Sequence, residues 1–406
     1  MSGGAVPGDR AVVERLYAAL AAGDRAGIHA VVADDLVAHL TPGLPFGIGG
    51  EHRGAADQIE NGWFAIGCHW RVRAVPESWS AGHDGRLLVR GRYVGVGRRS
   101  GLPLDTAFHH LWTVREGRIV ELEQWTDAAA FVQALGGEAP LATIDLTVDD
   151  DGVATLLLDR PQRRNAIDQQ LADDLLAAAL RVGADPRVRA VLIAGRGEAL
   201  TVGGDLPYVA EQSGDGLGAM PDVLTRMTTP FHLAFDALDA VRAPIVTVAH
   251  GAVAGGGLGL VYAGDLVVAS SDARFVTAFA ALGLTGDGGG TWHLPRRIGA
   301  ARAAEAYLRN RPITADEALA WGLVNELAAD RDAAVDRGRA LAGELAQGPS
   351  AAFAGMRRLL RDSWSRDAAA QRSAEGAAIA QAARTADARA AVSAFLTKQR
   401  PRFEGA

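Results

Sequence analysis

The sequence predicts two domains, an α+β domain followed by an α/β domain. Three observations carry this. The chain has 406 residues, more than one ordinary hydrophobic core organises. Residues 10 to 135 read as a pair of helices followed by β-rich segments. From residue 143 onward, strands alternate with helices, which is the pattern of βαβ units and parallel pairing.

In the first helix Val12, Val13, Leu16, Tyr17 and Leu20 share one face. Gly23 ends it, and Asp24 stands where it can cap a second helix carrying Ile28, Val31 and Val32. RLLVRGRYVGVG (86–97), TAFHHLWTV (106–114) and RIVELEQW (118–125) then read as strands, with REGR (115–118) as a hairpin turn. Gly and Pro interrupt both patterns in LGGEAP (135–140). The boundary is therefore expected between 138 and 139. Beyond it come VATLLL (153–158), a helix with Leu171, Leu175, Leu176 and Leu180, and the strands AVLIAG (190–195) and PIVTVAHG (244–251).

Composition narrows the functions. With 49% hydrophobic and 22% charged residues the chain can bury a sizeable core. No apolar run reaches the 18 or so residues of a membrane helix. The start, MSGGAVPGDR, lacks a basic region and an apolar run, so a cytoplasmic location is expected. One cysteine, Cys68, excludes an intramolecular disulfide and fits a reducing compartment. A net charge of −7 without a Lys/Arg cluster argues against nucleic-acid binding.

Five segments of the second half carry chemistry in a fixed order: LDRPQRRNAID (158–168), GRGEALTVGGDL (195–206), VAHGAVAGGGLGL (248–260), DLVVASSDARF (265–275) and GLTGDGGGTWHLPRRIGAARAAE (283–305). Together they resemble the crotonase, or enoyl-CoA hydratase/isomerase, superfamily, and the likeness runs from about 142 to VSAFLTKQRPRFEG (392–405). The resemblance implies a spiral of ββα units with a helical C-terminal region. It also implies a thioester enolate whose oxygen is met by the N–H groups of Gly204 and Gly256. Physically, an enolate needs preorganised donors, and glycine lets a backbone approach closely; the alternative is that these glycines serve only turns and packing. Family hydratases use two glutamates, an acid and a base. Here those positions fall at Gly259 and Phe279, so ordinary hydration is not expected.

Asp287 remains. It lies four residues after Gly283, a spacing similar to that of the aspartate-type epoxyphenylacetyl-CoA and Δ3-Δ2 enoyl-CoA isomerases. One carboxylate can take a proton from one allylic carbon and return it to another. Three other roles stay open: Asp-Gly is a turn dipeptide, an aspartate here can cap a helix beginning near 289, and benzoyl-CoA dehalogenases use a similarly spaced aspartate as nucleophile. Naphthoate synthases carry one a residue earlier.

The same resemblance puts Arg163 and Arg164 near the adenine and phosphates of coenzyme A, and Phe279 and Trp292 are further substrate-binding candidates; solvated surface is the alternative for the arginines, Arg160 included. His293, six residues after Asp287, lies about 120° round a helix from it and reads as packing. His250 and Asp205 read as groups that bond backbone, and Thr314 with Glu317 as a capping box.

VERLYAALAAGDRAGIHAVVADDLVAHLTPG (13–43), GEHRGAAD (50–57) and VELEQWTD (120–127) resemble the polyketide-cyclase-like and ketosteroid-isomerase-like family, also called nuclear-transport-factor-2-like. The implied fold is an α+β cone, a curved antiparallel sheet wrapped by helices around a pocket. Steroid-isomerase acids are not matched in kind. The cone candidates are instead Tyr17, His39, His52, His109, Asp105 and Asp127, since histidine exchanges protons near neutral pH. A merely binding or inert cone is the alternative. Neighbouring strand residues face opposite ways, so His109 and His110 cannot chelate together, and no metal is expected.

The function expected is double-bond isomerisation of an unsaturated acyl thioester in specialised polyketide or aromatic metabolism. A bifunctional cyclase/dehydratase, or a hydratase-type lyase using the cone pocket, is the second expectation, and a non-catalytic thioester-binding scaffold the third. No separate cofactor is expected, because coenzyme A or carrier-protein phosphopantetheine is part of the substrate. The resemblance also implies a homo-oligomer, a trimer or hexamer through the crotonase-like domain, with dimer contacts through the cone.

Overall fold

The computed structural model describes residues 7–46, 48–82, 85–98, 100–136 and 140–405. The chain divides into two units, Met1–Pro140 and Leu141–Ala406. The expected boundary between 138 and 139 lies outside the described residues.

The first unit opens with α1 (Pro7–Ala22) and α2 (Arg25–Val31). Asp24 caps α2, its carboxylate accepting from Gly27 N at 2.9 Å, a bond worth about 1 kcal/mol. Val32 belongs not to α2 but to β1 (Val32–Leu40), followed by β2 (Gly50–Arg53). Helical turns α3 (Ala55–Asp57) and α4 (Ala65–His69) flank a π-helical stretch, Gln58–Phe64. Next come β3 (Trp70–Ala81), β4 (Leu87–Gly97), β5 (Pro103–Arg115), β6 (Arg118–Thr126) and α5 (Ala128–Gln133). The sheet order is β2-β1-β6-β5-β4-β3. All pairs are antiparallel except β1 with β6, which are parallel.

Alternation along β5 decides what the concave face holds. Leu104, Thr106, Phe108, His110 and Trp112 are buried while Asp105 and His109 are exposed. With Leu16, Ile28, Leu36, Trp70 and Phe131 these apolar side chains form one core, each large one worth about 1.5–3 kcal/mol of burial.

The second unit begins with β7 (Ile144–Val148), β8 (Val153–Leu158), α6 (Gln169–Ala184) and β9 (Ala190–Gly195). It continues through α7 (Leu206–Ser213), α8 (Met220–Ala240), β10 (Ile245–Ala249), β11 (Ala252–Ala254), α9 (Leu258–Ala263), β12 (Leu266–Ser270) and β13 (Arg274–Val276). Then follow α10 (Gly290–Ile298), α11 (Ala300–Arg309), β14 (Ile313–Thr314), α12 (Ala315–Trp321) and β15 (Glu326–Ala328). Four helices close the chain: α13 (Arg331–Ala346), α14 (Ser350–Asp362), α15 (Ala368–Ala382) and α16 (Ala386–Leu396). One sheet runs β15-β12-β10-β9-β8-β7, parallel apart from the β7–β8 hairpin, and a second runs β11-β13-β14. β9 and β10 are buried at every residue, as strands covered on both faces must be.

Candidate active site

Two loops after parallel strands meet at the heart of the second unit. Thr201 pairs with Val253, and Ala254 N donates to Thr201 O at 3.1 Å. The hydroxyl of Thr201 donates to Asn165 O at 2.7 Å and accepts from Gly203 N at 3.1 Å. Asn165 is fully buried, and its Nδ2 donates to Arg196 O and Ala199 O, each at 2.9 Å. Gly203 must be glycine: its φ is +83°, and a Cβ there would stand 2.7 Å from Ala254 O. The amides flanking Gly204 are committed, Gly203 N to Thr201 and Asp205 N to Ile167 O at 2.8 Å. Gly256 lies in the 3₁₀ turn Gly255–Gly257 that enters α9, and first-turn N–H groups have no intrahelical acceptor.

Gly204 and Gly256 line one cavity of about 510 Å³ together with Asp287. Its walls are apolar, formed among others by Val209, Leu224, Met227, Phe231, Phe279 and Leu284. Asp287 is the one ionisable side chain among the described residues that line it. An ideal Cβ placed on Gly256 would lie 3.1 Å from Asp287 Oδ2, so that oxygen stands over the glycine loop.

Asp287 is not a cap. α10 begins after Gly289 with no side-chain cap, and only the backbone carbonyl of Asp287 takes part in the turn, accepting from Gly290 N at 3.2 Å. The carboxylate instead bonds His232, Oδ1 to Nε2. His232 sits on α8 with its side chain 50% exposed, against 27% for Asp287. The hydrogen bond to the carboxylate raises the imidazole pKa above its ordinary value, and burial opposes this only in part. Sequence reading missed His232. It lies 55 positions from Asp287, and the helical face that would have flagged it is defined by cavity neighbours such as Phe231.

The two positions where hydratases carry glutamate differ in kind. Phe279 lines the cavity. Gly259 is buried under Phe235, with an ideal Cβ only 2.3 Å from the ring.

The arginines divide. Arg160 is nearly buried and pairs with Asp168 at 2.8 Å and Asp205 at 3.4 Å, so it fixes the loop. Arg163 and Arg164 are exposed, Arg163 at 3.5 Å from Asp205. Trp292 is not among the residues that line the Asp287 cavity and lies under Arg296, whose guanidinium is 4.1 Å from the ring centre. The reason is helical phase, since Gly290 and Leu294 take the buried face of α10. His293 stacks on Tyr262, His250 Nε2 bonds Gly197 O at 3.2 Å, Asp205 caps α7 through Tyr208 N, and Thr314 with Glu317 closes the capping box.

The cone candidates do not converge. His39 and His109 point outward, opposite in parity to the buried residues of their strands. Asp105 is exposed and pairs with Arg92, and Asp127 caps α5. His52 is buried but bonds Ile48 O at 2.9 Å and Asp57 at 3.4 Å. Of that set only Tyr17 reaches the interior, where its hydroxyl meets His110 Nδ1 at 2.7 Å and Trp112 Nε1 at 3.3 Å. His110 Nε2 meets Tyr93 at 2.9 Å, and the Gln124 amide nitrogen meets Tyr93 at 2.6 Å. Burial holds His110 neutral, its pKa pushed down to about 3. The alternation L-x-T-x-F-x-H-x-W in β5 was the available sign that His110, not His109, faces inward.

The parallel sheet with its stitched glycine loops makes the second unit a crotonase-fold domain, and the first is SnoaL-like. Residues 149–406 match the enoyl-CoA hydratase/isomerase family and 13–122 the SnoaL-like domain; the chain belongs to the enoyl-CoA hydratase/isomerase family. It is 36% identical over 255 residues to "Probable enoyl-CoA hydratase" of Rhodobacter capsulatus, covering 63% of this chain and 95% of that one. It is 32% identical over 256 residues to 1,2-epoxyphenylacetyl-CoA isomerase of Escherichia coli (strain K12), covering 63% and 96%. The crystal structure of an enoyl-CoA hydratase from Polaromonas sp. JS666 superposes with a TM-score of 0.60 at 28% identity, covering 64% of this chain and 99% of that one.

Proposed function

We propose that the second unit isomerises an unsaturated acyl thioester by 1,3-proton transfer. Asp287 Oδ2 takes a proton from the acidic allylic carbon, and the C–H electron pair moves through the conjugated system onto the thioester oxygen. The N–H groups of Gly204 and Gly256 hold that dienolate oxygen. The Asp287 carboxyl then returns the proton to the other terminus of the allylic system. The observation that carries this reading is the meeting of Asp287 with both glycines in one apolar cavity, and the likeness to 1,2-epoxyphenylacetyl-CoA isomerase supports it. The ring over Gly259 leaves no room there for a hydratase carboxylate. Leu224, Met227 and Phe231 suit an aryl or long apolar acyl group.

Coenzyme A or a carrier-protein phosphopantetheine bears the acyl group, with Arg163 and Arg164 available to its phosphates. No additional cofactor is needed for this proton transfer. The protein acts as a homo-oligomer in specialised polyketide or aromatic metabolism, an assignment supported by the fusion to a SnoaL-like unit.

The test is incubation with β,γ- and α,β-unsaturated acyl-CoAs in D2O, following the alkene and deuterium at the α and γ carbons by NMR. Asp287→Asn is expected to lower isomerisation by about 10²–10⁴-fold, the usual range for a general base. Isomerisation at the parent rate in Asp287→Asn overturns the reading, and net addition of water replaces it with a lyase.

A further inference from the structure

His232 contributes no wall to the cavity, yet it holds one oxygen of the only carboxylate among the described lining residues. Asp287 stands in the loop ahead of α10 and has a free χ1 and χ2 in the absence of a partner. Its two oxygens are then interchangeable. A charge-assisted bond from an imidazolium removes that freedom. With Oδ1 bonded to Nε2, Oδ2 is the oxygen left over Gly256.

The helix that carries His232 also carries the acyl-chain wall. Leu224, Met227, Thr228 and Phe231 of α8 line the cavity, and their spacing places them on one helical stripe. His232 follows Phe231 directly and turns towards the loop of Asp287.

We infer that His232 is the positioning residue for Asp287, locking Oδ1 so that Oδ2, over the glycine loop, faces the allylic carbons of the acyl group. This rests on the isomerase reading of Asp287. His232 makes no contact with the reacting carbons, and the substrate proton stays on Asp287 throughout. The ionisable groups around the pair are Asp236 on α8 itself, Asp287 from the opposite loop and Tyr307 on α11, which faces Asp287. Both carboxylates favour the imidazolium. The bond is therefore charge-assisted below the raised pKa of His232 and weakens to a neutral one as pH rises through it, so the rate declines along an alkaline limb above the ordinary histidine range.

The experiment has one arm that reads the pair and one that reads its role. In protein carrying ¹⁵N-labelled histidine, the His232 ring is titrated by NMR in the parent and in Asp287→Asn. The expected result is a lower pKa in the variant, and an unchanged titration overturns the proposal whatever the activity. Isomerisation is then measured for His232→Ala and His232→Gln from pH 6 to 10. Misplacement of a catalytic group costs up to about 10²-fold, so kcat in His232→Ala is expected to fall roughly 10–100-fold with KM nearly unchanged. His232→Gln keeps a neutral donor, recovers part of kcat and has no alkaline limb. Parent kcat and pH profile in His232→Ala overturn the positioning role alone. Parent rates in Asp287→Asn overturn the isomerase reading and this inference with it.

Discussion

Replacing Gly259 by alanine drives a methyl group into the ring of Phe235. The new Cβ would stand 2.3 Å from Phe235 Cζ, 2.5 Å from Cε2 and 3.0 Å from Gly288 O, so the ring has to move. Phe235 packs edge-on against Phe231, with centroids 4.7 Å apart and planes at 71°. Overpacking of this kind costs about 1–3 kcal/mol, and loss of the aromatic pair adds about 0.5–1.5 kcal/mol. Alanine regains about 1 kcal/mol in helix propensity over glycine, leaving a net cost of roughly 0.5–3.5 kcal/mol. At about 2–4 °C per kcal/mol for a domain of 150–250 residues, the calorimetric transition of the crotonase-fold unit should fall by roughly 1–14 °C. Phe235→Ala removes the atoms that collide, so Gly259→Ala should cost less in that background. The coupling expected of touching residues is about 0.5–3 kcal/mol, and the cycle cancels the propensity difference. Costs that simply add, or a single variant as stable as the parent, would refute the argument that packing excludes a side chain at 259.

Two further predictions concern stability. His110 has its pKa pushed down to about 3 in the folded state, while the unfolded chain titrates near the ordinary value of about 6.5. Between those pH values the unfolded state binds the extra proton, so stability is lost as pH falls, by up to about 1.4 kcal/mol per pH unit. His110→Gln should show a shallower slope in that window in urea titrations, and parallel slopes would contradict it. Arg160 pairs with Asp168 and with Asp205, which is 2% exposed. Arg160→Ala leaves Asp205 only Arg163 at 3.5 Å and the Tyr208 amide and should cost about 1.5–3 kcal/mol by denaturant unfolding, the range for a hydrogen bond to a charged group; a loss below about 1 kcal/mol, typical of an exposed pair, would place Arg160 among the surface arginines instead.

The family and fold of the second unit were readable because they are tied to local motifs. Gly204 and Gly256 sit in short glycine motifs, where close backbone approach demands the neighbouring Gly203, and Asp287 sits in a third such motif. His232 was not readable. Its helix has no motif of its own, and the pair forms only when the chain folds. In the cone, long-range pairing defeated the reading differently. β1 follows α2 without a turn signal, so the helical pattern through Val32 ran one residue too far. The cone histidines were chosen for their chemistry, whereas strand parity decides exposure: His39 and His109 fall on the outward register and His110 on the inward one. Trp292 shows the same limit on a helix, where hydrophobicity alone does not tell which side faces the cavity.

The row of polar groups inside the cone has an arithmetic of its own. Trp112 gives a hydrogen to Tyr17, and the neutral imidazole of His110 gives one and receives one between Tyr17 and Tyr93. With the Gln124 amine also giving to Tyr93, one phenolic hydrogen is surplus whichever way the imidazole is oriented. Gln124 Oε1, meanwhile, is a buried acceptor without a donor among the described residues. Turning that amide end for end gives the surplus hydrogen an acceptor and sets the two Nε2 hydrogens where the oxygen stood. The row then has a single polarity, from indole to amide carbonyl, and no empty lone pair at which His110 can receive a proton. The five side chains thus bond one another in a single row, with the neutral imidazole of His110 at its centre.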